Sequence, residues 1–119
     1  MSNYERGRPV TAFCSEHHFR DQRIRTFIID GRILWAVADI CAVLEVPDVA
    51  QALRWVDYEN VELLGDPDRL WAVNRLGLVE LVSQQGRSHW LGPELAVWLL
   101  EVDLELSEIA YQATQAGQN

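Results

Sequence analysis

Apolar and polar positions follow a strand-like pattern most clearly between residues 26 and 35, where the chain predicts a β-hairpin. Residues 26–29 and 33–35 are β-branched and aromatic runs, and Asp30-Gly31 lies between them. An Asp-Gly pair suits the positive φ angles of a two-residue hairpin turn. We therefore expect two antiparallel strands joined at this dipeptide.

Three further short apolar runs predict strands. Residues 10–14 predict a short first strand, and residues 61–64 and 70–73 predict a pair around the turn-forming residues 65–68. Together with the hairpin, these runs indicate a small antiparallel sheet.

Helical spacing of apolar residues predicts four helices. Pro47-Asp48 restarts the chain after the first helix, Asn74 is placed to cap the third through its side chain, and Pro93 suits the first turn of the last. The predicted helices are residues 36–44, residues 48–56, a third helix from Asn74 to about Gln84, and a last helix that begins at Pro93.

The order of strands, helices, strands and helices predicts an α+β fold, in which a small antiparallel sheet that includes the 26–35 hairpin packs against about four helices. A length of 119 residues suits one domain. We divide the chain into an N-terminal arm of residues 1–18 with at most one short strand, a domain of residues 19–111, and a flexible tail of residues 112–119.

Several short motifs occur in a recognisable order between residues 19 and 105. They are Asp39-Ile40-Cys41 after the hairpin, Ala52-Leu53-Arg54, Asn74-Arg75-Leu76-Gly77-Leu78, and Pro93-Glu94. In this order and spacing they resemble the N-terminal domain of the BRO family (Bro-N), which is found in viral regulators and prophage antirepressors. The resemblance implies transcription regulation in a phage or prophage, commonly through DNA binding.

The charge of the chain points away from DNA. All ten basic residues are arginines, and eighteen acids give a net charge of -8, whereas a duplex-binding surface needs cations to displace phosphate counterions. Six of the arginines fall within residues 1–32. Arg20, Arg23, Arg25 and Arg32 are therefore the candidate DNA-binding residues, on a hairpin that could enter a major groove. The alternative is an exposed strand that uses charge to discourage edge pairing.

The last helix has two apolar stripes at 100° per residue. The first should face the core and consists of Leu95, Trp98, Leu99, Val102, Leu106 and Ile109. The second consists of Val97, Leu100, Leu104 and Tyr111. We expect the second stripe to form the interface of a two-fold homodimer, and a loop or the N-terminal arm is the alternative cover.

An acidic stripe on the same helix separates the two apolar stripes on one side. Its members are Glu94, Glu101, Glu105 and Glu108. The BRO family usually carries lysines after its Pro-Glu step, so this chain departs from the family at that point. The stripe is either a solvated surface or a surface that docks on the basic face of a DNA-binding protein, as an antirepressor could.

Two functions follow, and the surroundings of the arginines separate them. In the first, the chain is a BRO-type DNA-binding regulator that uses the arginine hairpin. In the second, it is an acidic interaction module that captures a repressor or another host or phage protein without binding DNA. Arginines that converge on one open surface favour the first function, and arginines paired with acids favour the second.

The remaining chemistry is sparse. Arg87 and Trp90 form a candidate contact in a loop, because an aromatic residue next to arginine is typical of interface anchors. Cys41 lies in an apolar helix and should belong to the core. A zinc site is disfavoured, since the only close cluster is Cys14, His17 and His18, with Cys41 or His89 elsewhere.

No enzyme signature and no cofactor motif occur, so we expect a non-enzymatic protein without a cofactor. No apolar run approaches the roughly 20 residues that span a bilayer, and the N-terminus does not read as a signal peptide. We therefore expect a cytoplasmic protein whose two cysteines remain thiols.

Overall fold

A computed structural model describes residues 12–65 and 69–117. It confirms the α+β fold, with a five-stranded antiparallel sheet of order β1-β2-β3-β5-β4. The strands are β1 (Ala12–Phe19), β2 (Gln22–Ile29), β3 (Arg32–Ala36), β4 (Val61–Leu64) and β5 (Leu70–Val73). The helices are α1 (Val37–Val43), α2 (Val49–Leu53), α3 (Arg75–Gln85) and α4 (Gly92–Gly117), with a 3-10 turn over Tyr58–Asn60.

The hairpin predicted for residues 26–35 is confirmed as β2 and β3. Ile29 pairs with Arg32 across the turn, and Asp30 and Gly31 have φ angles of 51° and 82°. The two strands of the ribbon β4–β5 also occupy the predicted residues, while residues 66–68 of their turn lie outside the described residues.

The first strand is longer than expected and continues into a second two-residue turn. β1 reaches Phe19, so residues 12–18 belong to the sheet and not to an N-terminal arm; Val10 and Thr11 lie outside the described residues. Arg20 and Asp21 form the turn to β2 with φ angles of 50° and 68°. The domain therefore begins well before residue 19.

The helices start at the predicted signals but differ in length. Asn74 accepts a hydrogen bond from the backbone N–H of Gly77 at 2.9 Å, which confirms it as the cap of α3. Asp48 caps α2 in the same way, although α2 ends at Leu53 and not at residue 56. α4 continues to Gly117, so residues 112–117 of the predicted tail are helical, and residues 118 and 119 are not described.

The core lies between the sheet and the helices, with Trp35 fully buried at its centre. Trp98 of α4 packs edge-on against the Trp35 ring, and Phe19 packs against Trp98. Cys41 is buried as expected, and burial raises the pKa of its thiol to about 11. The sheet and α4 are thus joined by one aromatic cluster.

One member of the predicted core stripe of α4 is not in the core. Ile109 is 57% exposed, whereas Ala110 and Asp103, which the stripe did not include, are buried. The buried line of α4 therefore runs through Leu99, Asp103, Leu106 and Ala110, and it turns away from Ile109 towards the C-terminus.

Candidate interaction surface

All four candidate DNA-binding arginines form ion pairs with acidic side chains. Arg20 donates two hydrogen bonds to Glu94, at 2.8 and 3.0 Å, and Arg23 lies 3.4 Å from Glu16. The other two pairs are Arg25 with Asp39 and Arg32 with Glu62. Their acids lie on α4, β1, α1 and β4, so the guanidinium groups are directed to four different elements.

The Arg25–Asp39 pair also explains how the sheet meets α1. The last pair of β2 and β3 is Thr26 with Trp35, which also pairs with β5 on its other side, and β3 runs directly into α1 after the next residue. The backbone N–H of Arg25 lies just beyond that last pair, and Asp39 accepts it at 2.9 Å. The same carboxylate accepts two bonds from the Arg25 side chain, so Asp39 has a structural role at the start of α1.

Arg20 holds a second group besides Glu94. Its guanidinium carbon lies 5.4 Å from the centre of the Trp90 ring, a cation–π distance, and His89 stacks on the same indole. Trp90 remains 73% exposed, and the hydrogen bonds from Arg20 hold the pKa of Glu94 below its usual value. The β1–β2 turn is thus tied to the loop that precedes α4.

Within residues 12–65 and 69–117, the arginines without an ion pair are Arg54, Arg69 and Arg87. All three are exposed, and they lie after α2, before β5 and in the loop between α3 and α4. The hairpin that the sequence offered as a cationic ribbon therefore presents no unpaired guanidinium.

The buried acid Asp103 was missed from the sequence. Its carboxylate accepts a hydrogen bond from the Trp35 indole at 2.9 Å and another from Arg75 at 2.8 Å, and the Ser107 hydroxyl lies 3.4 Å away. The signal was present, because Asp103 follows Leu99 by four residues and precedes Leu106 by three, which places an acid on the core side of α4.

α4 also presents its second apolar stripe to solvent. Its four side chains are all exposed: Val97 60%, Leu100 38%, Leu104 60% and Tyr111 63%. Because of their helical spacing, these apolar side chains lie on one side of α4, and they form a stripe instead of being scattered singly over the surface. The structure thus leaves this face of α4 uncovered by the described part of the chain.

The acidic stripe borders this apolar stripe along its length. Glu101 lies four residues after Val97 and three before Leu104, and Glu108 lies four after Leu104. Glu94 is held by Arg20, whereas Glu101, Glu105 and Glu108 are exposed and form no ion pair within the described residues. Glu108 accepts a hydrogen bond from Gln112, so three carboxylates without an ion pair lie beside an exposed apolar face.

A groove of about 320 Å³ between α3 and α4 continues the apolar surface. Val79 and Ser83 of α3 lie on one side, and Ala96 and Leu100 of α4 on the other. This face of α3 was not predicted from the sequence. Its signal is the helical spacing of Leu76, Val79 and Ser83, which are all exposed. Leu100 belongs to both the groove and the apolar stripe, so the two are one surface.

His17 gives the fold a pH dependence. Its ring lies against Trp35 and Trp98 and forms a hydrogen bond with the buried Thr26 hydroxyl at 3.2 Å. Burial lowers the pKa of His17 below its ordinary value, although the nearby Glu105 carboxylate opposes the shift and His18 adds to it. The folded state therefore favours the neutral ring.

We expect the free energy of unfolding to fall as the pH drops below about 6.5, the ordinary pKa of histidine. The unfolded chain binds the His17 proton in that window while the folded chain resists it, so acid favours unfolding. Urea titrations between pH 7.5 and 5 measure the slope, and His17→Gln, which keeps a hydrogen-bonding group, should make it shallower. An identical slope in both proteins would contradict the assignment.

In residues 12–65 and 69–117, no group of three His, Cys, Asp or Glu side chains is close enough to hold a metal ion. Within the same residues, no helix is both long enough and apolar enough to cross a membrane. Comparison with known proteins gives no match to any protein-family model, curated protein or solved structure. The resemblance to the BRO family therefore stays a prediction.

Proposed function

We propose that this chain is a non-catalytic interaction module of the antirepressor type, which captures a basic protein partner on α4 and does not bind duplex DNA. One observation carries the proposal: the four candidate arginines are paired with acids, whereas Glu101, Glu105 and Glu108 are exposed without an ion pair among the described residues. The surface of α4 that remains available for electrostatic recognition is thus acidic, and the unpaired Arg54, Arg69 and Arg87 lie on other parts of the fold.

The energetics favour a basic protein over DNA. A carboxylate beside each guanidinium offsets its positive charge, so the paired arginines attract a phosphate less than free arginines would. The net charge of -8 repels the phosphate backbone over the approach, and it attracts a cationic protein surface. The cationic face with which a repressor holds its operator has the complementary charge. We place this encounter in the cytoplasm, which the two free cysteines support.

Reversal of one exposed carboxylate tests the steering. The partner is first isolated from host lysate treated with nuclease, and its association with the purified protein is then followed by stopped flow. We expect Glu101→Lys to slow association by about threefold to tenfold at low salt, with the loss shrinking as salt rises, because screening acts within about 10 Å at 0.1 M salt.

Glu59→Lys is the matched control, since Glu59 is also exposed but lies in the 3-10 turn before β4. It changes the net charge equally and should leave association nearly unchanged. Equal slowing by both variants would mean that only the total charge acts. Nuclease-sensitive capture, together with duplex binding that Arg23→Ala abolishes, would instead establish the DNA-binding function.

A further inference from the structure

We propose that the groove between α3 and α4 binds the apolar anchors of a basic amphipathic helix. This inference rests on the proposed function and names the occupant of the same surface. It is carried by two properties that occur side by side on α4, an apolar groove that continues into an exposed apolar stripe, and a row of carboxylates along one flank.

The groove has the chemistry of an anchor site. Most of its lining is aliphatic, from Leu78, Val79, Val82, Ala96, Leu99 and Leu100, and Arg87 is the one charged side chain in the lining. The acidic residues that select a basic helix therefore lie beside the apolar stripe and not inside the groove. Val79 and Leu100 form its exposed edges and lose water contact when a side chain enters between them. Anchors at i, i+3 or i+4, and i+7 are the spacing by which amphipathic helices fill such grooves. Leu100 lines the groove, and the exposed Leu104 offers a further apolar contact on α4 beyond it.

The acidic residues beside the apolar stripe of α4 determine which charge is favoured on the incoming helix. Glu101, Glu105 and Glu108 lie along the edge of the apolar stripe, and the sequence after Glu94 contains no lysine or arginine that could neutralise them. A helix whose anchors lie in the groove and on the stripe places its own flank next to these carboxylates. Lysine or arginine at that flank gains attraction, and glutamate there is repelled.

The same carboxylates disfavour a second copy of the chain as the occupant. In an antiparallel pair of identical helices about a two-fold axis, each flank meets the same flank of its partner. The stripe of Glu101, Glu105 and Glu108 would then face itself, and both chains carry a net charge of -8. Charge complementarity therefore selects a basic helix over an antiparallel homodimer on the apolar stripe.

Synthetic peptides test the inference directly. The probe is a capped 14-residue helical peptide with leucines at i, i+3, i+4 and i+7 and lysines on its polar face. Two controls share its length, one with glutamates for lysines and one with the leucines scrambled. In titrations of ¹⁵N-labelled protein we expect only the lysine probe to bind, with amide shifts concentrated at Val79, Ser83, Ala96 and Leu100.

Substitutions of two residues that line the groove, Ser83 and Val79, locate the binding site. Ser83→Trp fills the groove from an exposed position, and Ser88→Trp makes the same change in the loop outside it. We expect Ser83→Trp to weaken the probe about tenfold or more, and Ser88→Trp to have little effect. Val79→Lys should also weaken it, because it replaces an apolar edge of the groove with a charged side chain that loses hydration when the probe binds. Circular dichroism verifies that each variant is folded.

The outcomes separate this inference from the proposed function. If the lysine probe fails to bind, or binds with no response to Ser83→Trp and Val79→Lys, the groove is not the site. Capture of the natural partner that still depends on Glu101 would then leave the proposed function standing. A dimeric mass by light scattering that Leu104→Glu reduces to a folded monomer would make a second copy the occupant and would also overturn the inference.

Discussion

Replacing Asp103 with alanine should lower the free energy of unfolding by about 3 kcal/mol, through the loss of bonds to a buried carboxylate. The Asp103 side chain is 1% exposed and accepts hydrogen bonds from the Trp35 indole and from Arg75. Without it, the indole N–H of a fully buried tryptophan has no acceptor, and the vacated space loses its packing contacts. Arg75 is half-exposed and can turn to water, so its own loss is small.

Urea denaturation followed by circular dichroism measures this effect. Asp103→Asn keeps an oxygen for the indole and removes the charge, so it should cost clearly less than alanine. Ser107→Ala removes a neighbour that lies 3.4 Å from the carboxylate and should cost the least. If alanine and asparagine have equal effects, the Trp35 hydrogen bond does not hold the helix and the assignment is wrong.

Asp103 also helps to set the rotation of α4 about its axis. Leu95, Leu99 and Leu106 pack in the core on the same side of the helix, and the bond between Asp103 and the central Trp35 adds a directional contact. With Asp103 facing the sheet, Val97, Leu100 and Leu104 face solvent beside the α3 groove. The proposed interaction surface is thus positioned in part by a buried carboxylate that makes no contact with a partner.

Local signals in the sequence were sufficient for most of the elements. Asp30-Gly31 predicted its turn because both residues tolerate positive φ, and Asn74 predicted a helix start because its side chain reaches the free N–H of the first turn. The β1–β2 turn was missed since its residues are Arg20 and Asp21, neither of which is glycine. Its conformation is supported from outside, by the contact of Arg20 with Glu94 on α4.

The candidate site depended on pairings that a linear pattern does not contain. The sequence predicted that the four candidate arginines share one hairpin, but the partner of Arg25 lies 14 residues away and that of Arg20 lies 74 residues away. Tertiary packing alone brings these charges together. For the same reason, the sequence does not predict whether the arginines converge on one open surface or pair with acids. It predicts only which function each of these two arrangements would favour.

The error at Ile109 has a related cause. A stripe drawn at 100° per residue assumes that one straight face of the helix stays against the core. α4 has 26 residues and so extends about 39 Å, and its buried line follows Asp103 and Ala110 instead of Val102 and Ile109. Asp103 lies on this buried line, and a pattern drawn from apolar residues alone leaves it out.

Gly92→Ala should destabilise the fold by about 3 kcal/mol, at the upper end of the usual cost of overpacking. A Cβ atom at Gly92 would lie 2.0 Å from the carbonyl oxygen of Gly86 and 2.8 Å from its carbonyl carbon. Both neighbours are backbone atoms, so the clash cannot be relieved by a change of rotamer. The end of α3 and the start of α4 would have to separate.

Thermal and urea unfolding of three variants grade this effect. Gly77→Ala should lower the free energy of unfolding less than Gly92→Ala, because its closest contacts are 2.9 Å and include the Val73 side chain. Ser88→Ala, in the loop between α3 and α4, should be nearly neutral. Gly86 and Gly92 both line the groove, so any Gly92→Ala protein that remains folded should also bind the lysine probe more weakly. Unchanged stability in Gly92→Ala would mean that the two helix ends separate freely, and that the groove between them has no fixed shape for a partner to recognise.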